Sequence, residues 1–175
     1  MKIKFKIAVV LLASVVSAPA HAYVYFTRDA LLTSFFPGQA WAVETFAPDP
    51  AALRAVLGYP LPQAAYDIVI AARTDGTAAY AIIDDQLGLH EPITFAVLLD
   101  AHAHVERLEV MVYREAYGDG VRALTFTRQF HGLGVAAPMR PGKDIRIVSG
   151  ATVSTRSLAV GTRRACAIVE AWLAR

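Results

Sequence analysis

The sequence predicts one α+β domain built on an antiparallel sheet that is packed by helices. Two pairs of apolar segments, within residues 67–84 and 93–113, have the character of β-strands and are joined by short polar turns. Residues 151–173 have apolar positions at helical spacing and follow a turn of small and hydroxylated residues. No internal repeat or low-complexity linker divides the chain, so residues 23–175 are expected to form a single domain.

The first residues have the three parts of a secretory signal peptide, predicted over residues 1–22. Three lysines precede an apolar run at residues 7–18, and the small-x-small sequence of residues 20–22 follows. The run is shorter than the ~20 residues of a membrane-spanning helix, so we expect cleavage after Ala22 and export to the periplasm. The alternative is an uncleaved segment that anchors the protein to the inner membrane.

Composition excludes several classes of function. Three of the 17 basic residues lie in the leader, so the remaining chain is nearly neutral and gives no reason to expect a nucleic-acid partner. Cys166 is the only cysteine, which rules out an internal disulfide, and we expect it to be an inert, buried residue. No nucleophile–base–acid set, Walker motif or dinucleotide fingerprint is present, which favours a carrier over a self-sufficient enzyme.

Caps, breakers and turns delimit the elements of the first half. A helix is predicted over residues 27–36 with Thr27 as its cap, and a second runs from the cap Asp49 to the stop Gly58. Residues 67–73 and 77–84 flank an Asp-Gly turn, which predicts a β-hairpin. Residues 93–100 and 105–113 form a second antiparallel pair, whose last strand is expected to alternate between two faces, with Leu108, Val110 and Val112 on one and Glu109, Met111 and Tyr113 on the other.

The second half is predicted to be mostly helix and loop. Residues 120–130 are expected to be helical with Phe126 and Phe130 in the core, residues 131–143 form a Gly- and Pro-rich loop, and residues 145–148 are expected to be a strand. The last helix should bury one stripe against the sheet: Leu158, Thr162, Ala165, Val169 and Trp172. An H-x-H pair, His102 and His104, lies in a turn; no third metal ligand has a place, so a polar turn is the expected interpretation.

Residues 149–155, Ser-Gly-Ala-Thr-Val-Ser-Thr, place several hydroxyl groups at the N-terminus of the last predicted helix. One interpretation is ordinary capping by Ser149 or Thr152, with Gly150 making the turn. The other is phosphate binding by the unpaired N–H groups and positive dipole of the helix terminus. In that case Gly150 and Ala151 allow a ligand to approach the backbone, and Thr152 offers a hydroxyl that holds a phosphate or is joined to one.

The motif and three further blocks resemble one family. The blocks are "LHEPITFAVLLD" (residues 89–100), "VMVYREAYGDGVR" (110–122), "FTRQFHG" (126–132) and "DIRIVSGATVSTRSLAVGTRRA" (144–165), which together cover roughly half of the chain. They look like the FMN-binding domains found in subunits of sodium-pumping and Rnf-type electron-transfer complexes, and most of all like the stand-alone exported branch. The resemblance implies FMN attached through its phosphate to the threonine of an S-G-A-T motif.

Carried over residue by residue, the resemblance implies that Thr152 is the attachment site. It also implies that Ser149, Gly150 and Ala151 shape the turn before it. Ser154 and Thr155, one turn into the helix, are expected to hydrogen-bond phosphate oxygens.

Two further residues are expected near the flavin ring. Glu115 falls where related domains carry a ring-contacting Glu, the alternative being a solvated loop carboxylate. His90 is a weaker candidate for the same site, since a lone His before a strand is often structural.

The family's attachment motif usually has an acidic residue six places before the threonine, where this chain has Arg146. The resemblance implies that the flavin transferase needs this acid, so attachment depends on a substitute. A strand at residues 145–148 would place Asp144 on the same face as Arg146, so Asp144 is the expected substitute.

The resemblance as a whole implies an exported electron carrier with covalent FMN. It would pass electrons between a membrane-associated partner and an acceptor outside the cytoplasm, after maturation by a flavin transferase that uses FAD and a divalent metal. The alternative is a non-catalytic exported binding module of the same fold without covalent flavin. A reductase with a soluble substrate would need proton donors over the ring, for which Glu115, Tyr117 and His90 are the candidates.

Overall fold

A computed structural model describes residues 22–175, so the predicted leader, apart from Ala22, lies outside the described residues. Six strands form one antiparallel sheet in the order β1-β6-β5-β4-β3-β2. The strands are β1 (Tyr23–Val24), β2 (Trp41–Phe46), β3 (Tyr66–Ala72), β4 (Ala78–Leu87), β5 (Pro92–Leu99) and β6 (Val105–Tyr113), and the helices are α1 (Arg28–Phe35), α2 (Pro50–Leu57), α3 (Leu124–Thr127) and α4 (Thr152–Leu173).

Helices cover both faces of the sheet, which confirms the predicted α+β class. Leu31, Leu32 and Phe35 of α1 pack on one face against small side chains such as Ala81 and Ala96. The long helix α4 lies across β4 and β5 on the other face, with α2 beside it. None of the helices within residues 22–175 is long and apolar enough to cross a bilayer.

The local signals of the first half hold in the structure. Thr27 accepts a hydrogen bond from the backbone N–H of Ala30 at the start of α1, and Asp49 caps α2 in the same manner. Gly58 ends α2 in the left-handed conformation, with φ of 86°. The β3–β4 hairpin closes around the Asp-Gly turn as predicted. The edge strands β1 and β2 were not predicted, because their side chains are largely exposed and lack a clear alternation.

The predicted two-face alternation of β6 is wrong beyond Val110. Phe95 pairs with Val110 but the preceding Thr94 pairs with Val112, so β6 contains a β-bulge with one extra residue. Val112 consequently packs on the α1 side, whereas Tyr113 joins the core under α4. The bulge therefore turns the Tyr113 ring to the face on which α4 begins.

Two predictions for the second half are also corrected. Residues 120–130 are not one helix but a 3₁₀ turn (Asp119–Arg122), the short α3 and a second 3₁₀ turn (Arg128–Phe130). Phe126 and Phe130 are nevertheless buried in edge contact, with ring centroids 5.5 Å apart. Residues 145–148 are not a strand, because within the described residues their backbone pairs only through the isolated bridge of Ile145 to Pro141.

Helix α4 is buried more completely than its predicted stripe. The stripe is confirmed, although Trp172 at its end is only partly buried. Gly161 also lies so close to Phe95 that a methyl group at Gly161 would overlap the ring. Arg164, only 1% exposed, forms an ion pair with Asp84 at 2.7 Å. Gln63 and the backbone N–H of Asp85 donate to the second Asp84 oxygen, so this buried pair is fully hydrogen-bonded and fixes α4 on β4.

Breaking the pair should be costly. Arg164→Met leaves the Asp84 carboxylate buried without a counter-charge, and should lower the free energy of unfolding by about 3–5 kcal/mol. Replacing both partners, Arg164→Met with Asp84→Leu, should recover most of that loss. Arg156→Met, at an exposed position of the same helix, should change stability by less than about 0.5 kcal/mol. Urea denaturation measures all three; equal losses in the single and double variants would contradict this account.

Candidate functional site

A cleft of about 470 Å³ opens at the N-terminal end of α4. Three segments form it: the β4–β5 turn, the loop after β6, and the residues around the start of α4. The residues that line it are Leu89, His90, Glu115, Ala116, Tyr117, Gly150, Ala151, Thr152, Val153 and Ser154. The fold thus brings His90 and Glu115 to the S-G-A-T motif across more than 30 residues of sequence.

The start of α4 is not capped by a side chain, so the capping interpretation of the motif is wrong. Gly150 adopts φ of 74°, Ala151 occupies the N-cap position, and no side chain in the described part of the chain caps the first turn. The first N–H groups of a helix have no partner within it, so those of α4 are free to bind an anion. Apart from Gly150 and its two chain neighbours, no atom of residues 22–175 lies within 4 Å of the place where a side chain on Gly150 would begin, which leaves room for a ligand at the turn.

The hydroxyl groups of the motif have different environments. Thr152 is exposed and lines the cleft. Ser149 is exposed but lies outside the lining. Thr155 is fully buried, and its Oγ1 accepts a hydrogen bond of 3.3 Å from the backbone N–H of Val148. Thr155 therefore holds the approach loop to the helix, away from the cleft.

Ser154 is joined to the loop after β6 through Tyr113. The Tyr113 hydroxyl donates its proton to the carbonyl of Tyr117 over 2.6 Å and lies 2.8 Å from Ser154 Oγ. Since a carbonyl only accepts and a phenol has one proton, Ser154 must donate to Tyr113. The proton of Ser154 is thus committed to this chain of hydrogen bonds and is not free for a phosphate oxygen.

Glycine is required where this loop meets α4. Gly118 has φ of 94°, and a side chain there would meet Tyr113 Oη at 2.7 Å and the Ala151 methyl at 3.2 Å. The loop after β6 therefore packs directly on the turn that precedes Thr152.

Glu115 is a buried clamp rather than a solvated loop carboxylate. The residue is 8% exposed, and Oε1 accepts hydrogen bonds from the backbone N–H groups of His90, at 2.6 Å, and Glu91, at 3.0 Å. Burial by itself would raise the pKa of Glu115, but hydrogen bonds from the backbone of Glu91, His90 and Leu89 outweigh it and lower the pKa. An ionised carboxylate thus ties the β4–β5 turn to the loop after β6.

The β4–β5 turn is shaped around this clamp. A side chain at Gly88 would approach Glu115 Oε1 to 2.7 Å and the Glu91 carbonyl to 2.9 Å, so the position needs glycine for lack of space. His90 uses its backbone for Glu115 and leaves its imidazole exposed at the cleft.

The walls of the cleft are apolar and exposed. Leu89 is 61% exposed, Tyr117 is 87% exposed, and Val153 is also exposed. Large apolar side chains that converge on one concavity are typical of ligand sites. Sequence reasoning named Tyr117 only as a candidate proton donor and did not identify Leu89 or Val153 as walls, because their convergence depends on contacts between distant turns.

The residues before the motif do not have the predicted arrangement. Asp144 lies in a turn and forms an ion pair with Arg140, whose backbone N–H and guanidinium donate to the carboxylate at 2.8–3.2 Å. Arg146 is held by its backbone, since its N–H donates to Gln129 Oε1. The predicted strand face shared by Asp144 and Arg146 is therefore wrong, whereas the substitution of Asp144 for the acidic residue stays a prediction.

The remaining candidates lie outside the cleft. His102 and His104 flank a tight turn in which Asp100 Oδ1 accepts both of their backbone N–H groups, as expected for a polar turn. Within residues 22–175 no group of three or more His, Cys, Asp or Glu side chains is placed to hold a metal ion. Cys166 is buried, and burial raises the pKa of its thiol to about 12.

Comparison with solved structures agrees with this architecture. No family model and no curated protein matches the chain. Among solved structures, it is similar to the crystal structure of the C subunit of the Na⁺-translocating NADH-quinone reductase from Parabacteroides distasonis, with a TM-score of 0.53 and 13% sequence identity, over 77% of this chain and 78% of that one. At this identity the likeness establishes a shared fold.

The Glu115 clamp gives a pH-dependent prediction. Glu115→Gln should lower the free energy of unfolding by about 1.5–3 kcal/mol at pH 7, because a neutral amide replaces a carboxylate that accepts backbone hydrogen bonds. Since the native pKa is lowered, the carboxylate stabilises the fold above its unfolded-state pKa, and this stability is lost as the pH falls through the folded-state pKa. The difference in free energy of unfolding between wild type and Glu115→Gln should therefore become smaller below about pH 4, the ordinary range of a glutamate pKa.

Urea unfolding of both proteins at several pH values measures this deficit. Glu91→Gln is the matched control, because Glu91 contributes only its backbone N–H to the clamp. A deficit of equal size in acid and at neutrality would show that Glu115 acts through packing rather than charge.

Proposed function

We propose that this protein is an exported electron carrier with FMN joined by a phosphoester to Thr152. The observation that carries the proposal is the uncapped start of α4, which places an exposed Thr152 hydroxyl beside free backbone N–H groups at the edge of an apolar cleft. The motif resemblance and the likeness in fold to a subunit of an NADH-quinone reductase support it.

The turn fits the phosphate end of the group. A phosphodiester at Thr152 retains one negative charge, which the positive end of α4 stabilises by about 0.3–1 kcal/mol when exposed. Backbone N–H groups supply the hydrogen bonds, since Ser154 and Thr155 are engaged elsewhere. The expected role of those two hydroxyls as direct phosphate ligands is thereby replaced by a role in fixing the helix start.

The cleft fits a flat aromatic group. When bound, FMN supplies the capacity to accept and release electrons, and the protein supplies attachment, orientation and electrostatic environment. Leu89, Val153 and Tyr117 provide apolar contact. The negative charge of Glu115 lies at the cleft but is compensated by backbone N–H groups, so it orients the β4–β5 turn more than it repels an anionic ligand.

The proposal includes partners and a location. A flavin transferase loads FMN from FAD with a divalent metal, and a membrane-associated protein exchanges electrons with the mature carrier in the periplasm. Thr152 is exposed and therefore accessible to such a transferase. An uncleaved leader would instead hold the same domain at the inner membrane.

One observation favours a second candidate, an exported binding module without covalent flavin. Arg146 occupies the place of the usual acidic residue, and Asp144 is engaged by Arg140. In this case the cleft would bind its ligand through contacts alone, and the transferase would leave Thr152 unmodified.

The test is intact mass and visible absorption of protein exported from a host that co-expresses a flavin transferase. The wild type should gain the mass of one FMN minus water and remain yellow after denaturation. Thr152→Ala should lose both properties. Ser149→Ala, which removes an exposed hydroxyl from the same turn, should keep them. A colourless, unmodified wild type would sink the covalent-flavin proposal and leave the binding module.

A further inference from the structure

Tyr117 combines an exposed side chain with a fixed backbone. The residue is 87% exposed although it lines the cleft. The Tyr117 carbonyl accepts a hydrogen bond of 2.6 Å from the Tyr113 hydroxyl, which is itself held by Ser154 of α4. The following residue, Gly118, packs against Tyr113, Ala151 and Ser154 so closely that no side chain fits there. The loop thus anchors the base of the Tyr117 side chain beside the start of α4.

This placement is specific to the Thr152 side of the cleft. Ala151, which Gly118 approaches, directly precedes Thr152 in the chain. A group tethered at Thr152 therefore begins next to the backbone that carries Tyr117. Among the described residues that line the cleft, Tyr117 is the only one with a phenol or other large aromatic ring, and Leu89 and Val153 are aliphatic.

A ligand that covers this exposed ring removes its apolar surface from water, which favours binding. An aromatic side chain has roughly 150–250 Å² of surface to bury, at roughly 25 cal/mol for each Å² of apolar area. An isoalloxazine ring is flat, and aromatic pairs gain from offset stacking in addition to area. We propose that Tyr117 stacks on the flavin ring carried by Thr152 and covers one of its faces; this rests on the proposed function.

Stacking has a spectroscopic signature that does not depend on electron-transfer activity. A tyrosine in contact with an excited flavin donates an electron to it and quenches its fluorescence, whereas phenylalanine stacks but does not donate. Both rings shield the covered face from a dissolved quencher such as iodide, whereas alanine does not. The fluorescence lifetime of the flavin therefore reports on the phenol, and its accessibility to iodide reports on the stacking.

The experiment compares FMN-loaded wild type with Tyr117→Ala, Tyr117→Phe and Tyr23→Ala, each first checked for one FMN by intact mass. Tyr23 is another exposed tyrosine, 57% exposed and outside the cleft lining. We expect a several-fold longer mean fluorescence lifetime in both Tyr117 variants, and no change in Tyr23→Ala. Iodide should quench Tyr117→Ala more efficiently than Tyr117→Phe, which should remain as protected as the wild type.

The outcomes separate the two proposals. A loaded protein whose lifetime and iodide quenching are the same in wild type and Tyr117→Ala overturns the stacking role while leaving covalent FMN intact. A wild type that carries no FMN overturns the proposed function and the stacking role together. Equal mean fluorescence lifetimes in Tyr117→Phe and wild type also contradict stacking by the phenol, because phenylalanine cannot replace tyrosine as the electron donor.

Discussion

The position of α4 on the sheet is the constraint on which the site depends. Gly161 lets the helix lie directly on Phe95, and the buried Arg164–Asp84 pair fixes its position along β4. A shift of α4 along the sheet would lose packing at the first contact or expose a buried charge at the second. These two contacts therefore fix the position of the first turn of α4. That place is where the β4–β5 turn and the loop after β6 converge on Thr152.

A second set of contacts converts this convergence into a defined cleft. The bulge in β6 turns Tyr113 toward α4, and Tyr113 links Ser154 to the Tyr117 carbonyl. On the other wall, the Glu115 carboxylate accepts hydrogen bonds from backbone N–H groups of the β4–β5 turn. Glu115, Ser154 and Thr155 hold loops instead of pointing free polar groups into the cleft, so a ligand there would meet mainly backbone N–H groups and apolar walls.

The parts of the fold that sequence could predict are those governed by local signals. Caps at Thr27 and Asp49, the Asp-Gly hairpin and the period of α4 each depend on a few neighbouring residues. The bulge in β6, the edge strands and the broken helix before residue 131 depend on pairing and packing with distant segments, which no local pattern encodes. The strand predicted at residues 145–148 failed because a strand needs a partner in space, not only apolar residues.

We propose that Thr152 carries the flavin, and peptide mapping tests this attachment most directly. Cleavage after Arg146 and Arg156 releases residues 147–156, a peptide in which Ser149, Thr152, Ser154 and Thr155 are the only hydroxyl residues. Fragmentation of this peptide from wild-type protein matured with a flavin transferase should place the added FMN mass on Thr152. FMN mass on another hydroxyl, or an unmodified peptide, would contradict the account.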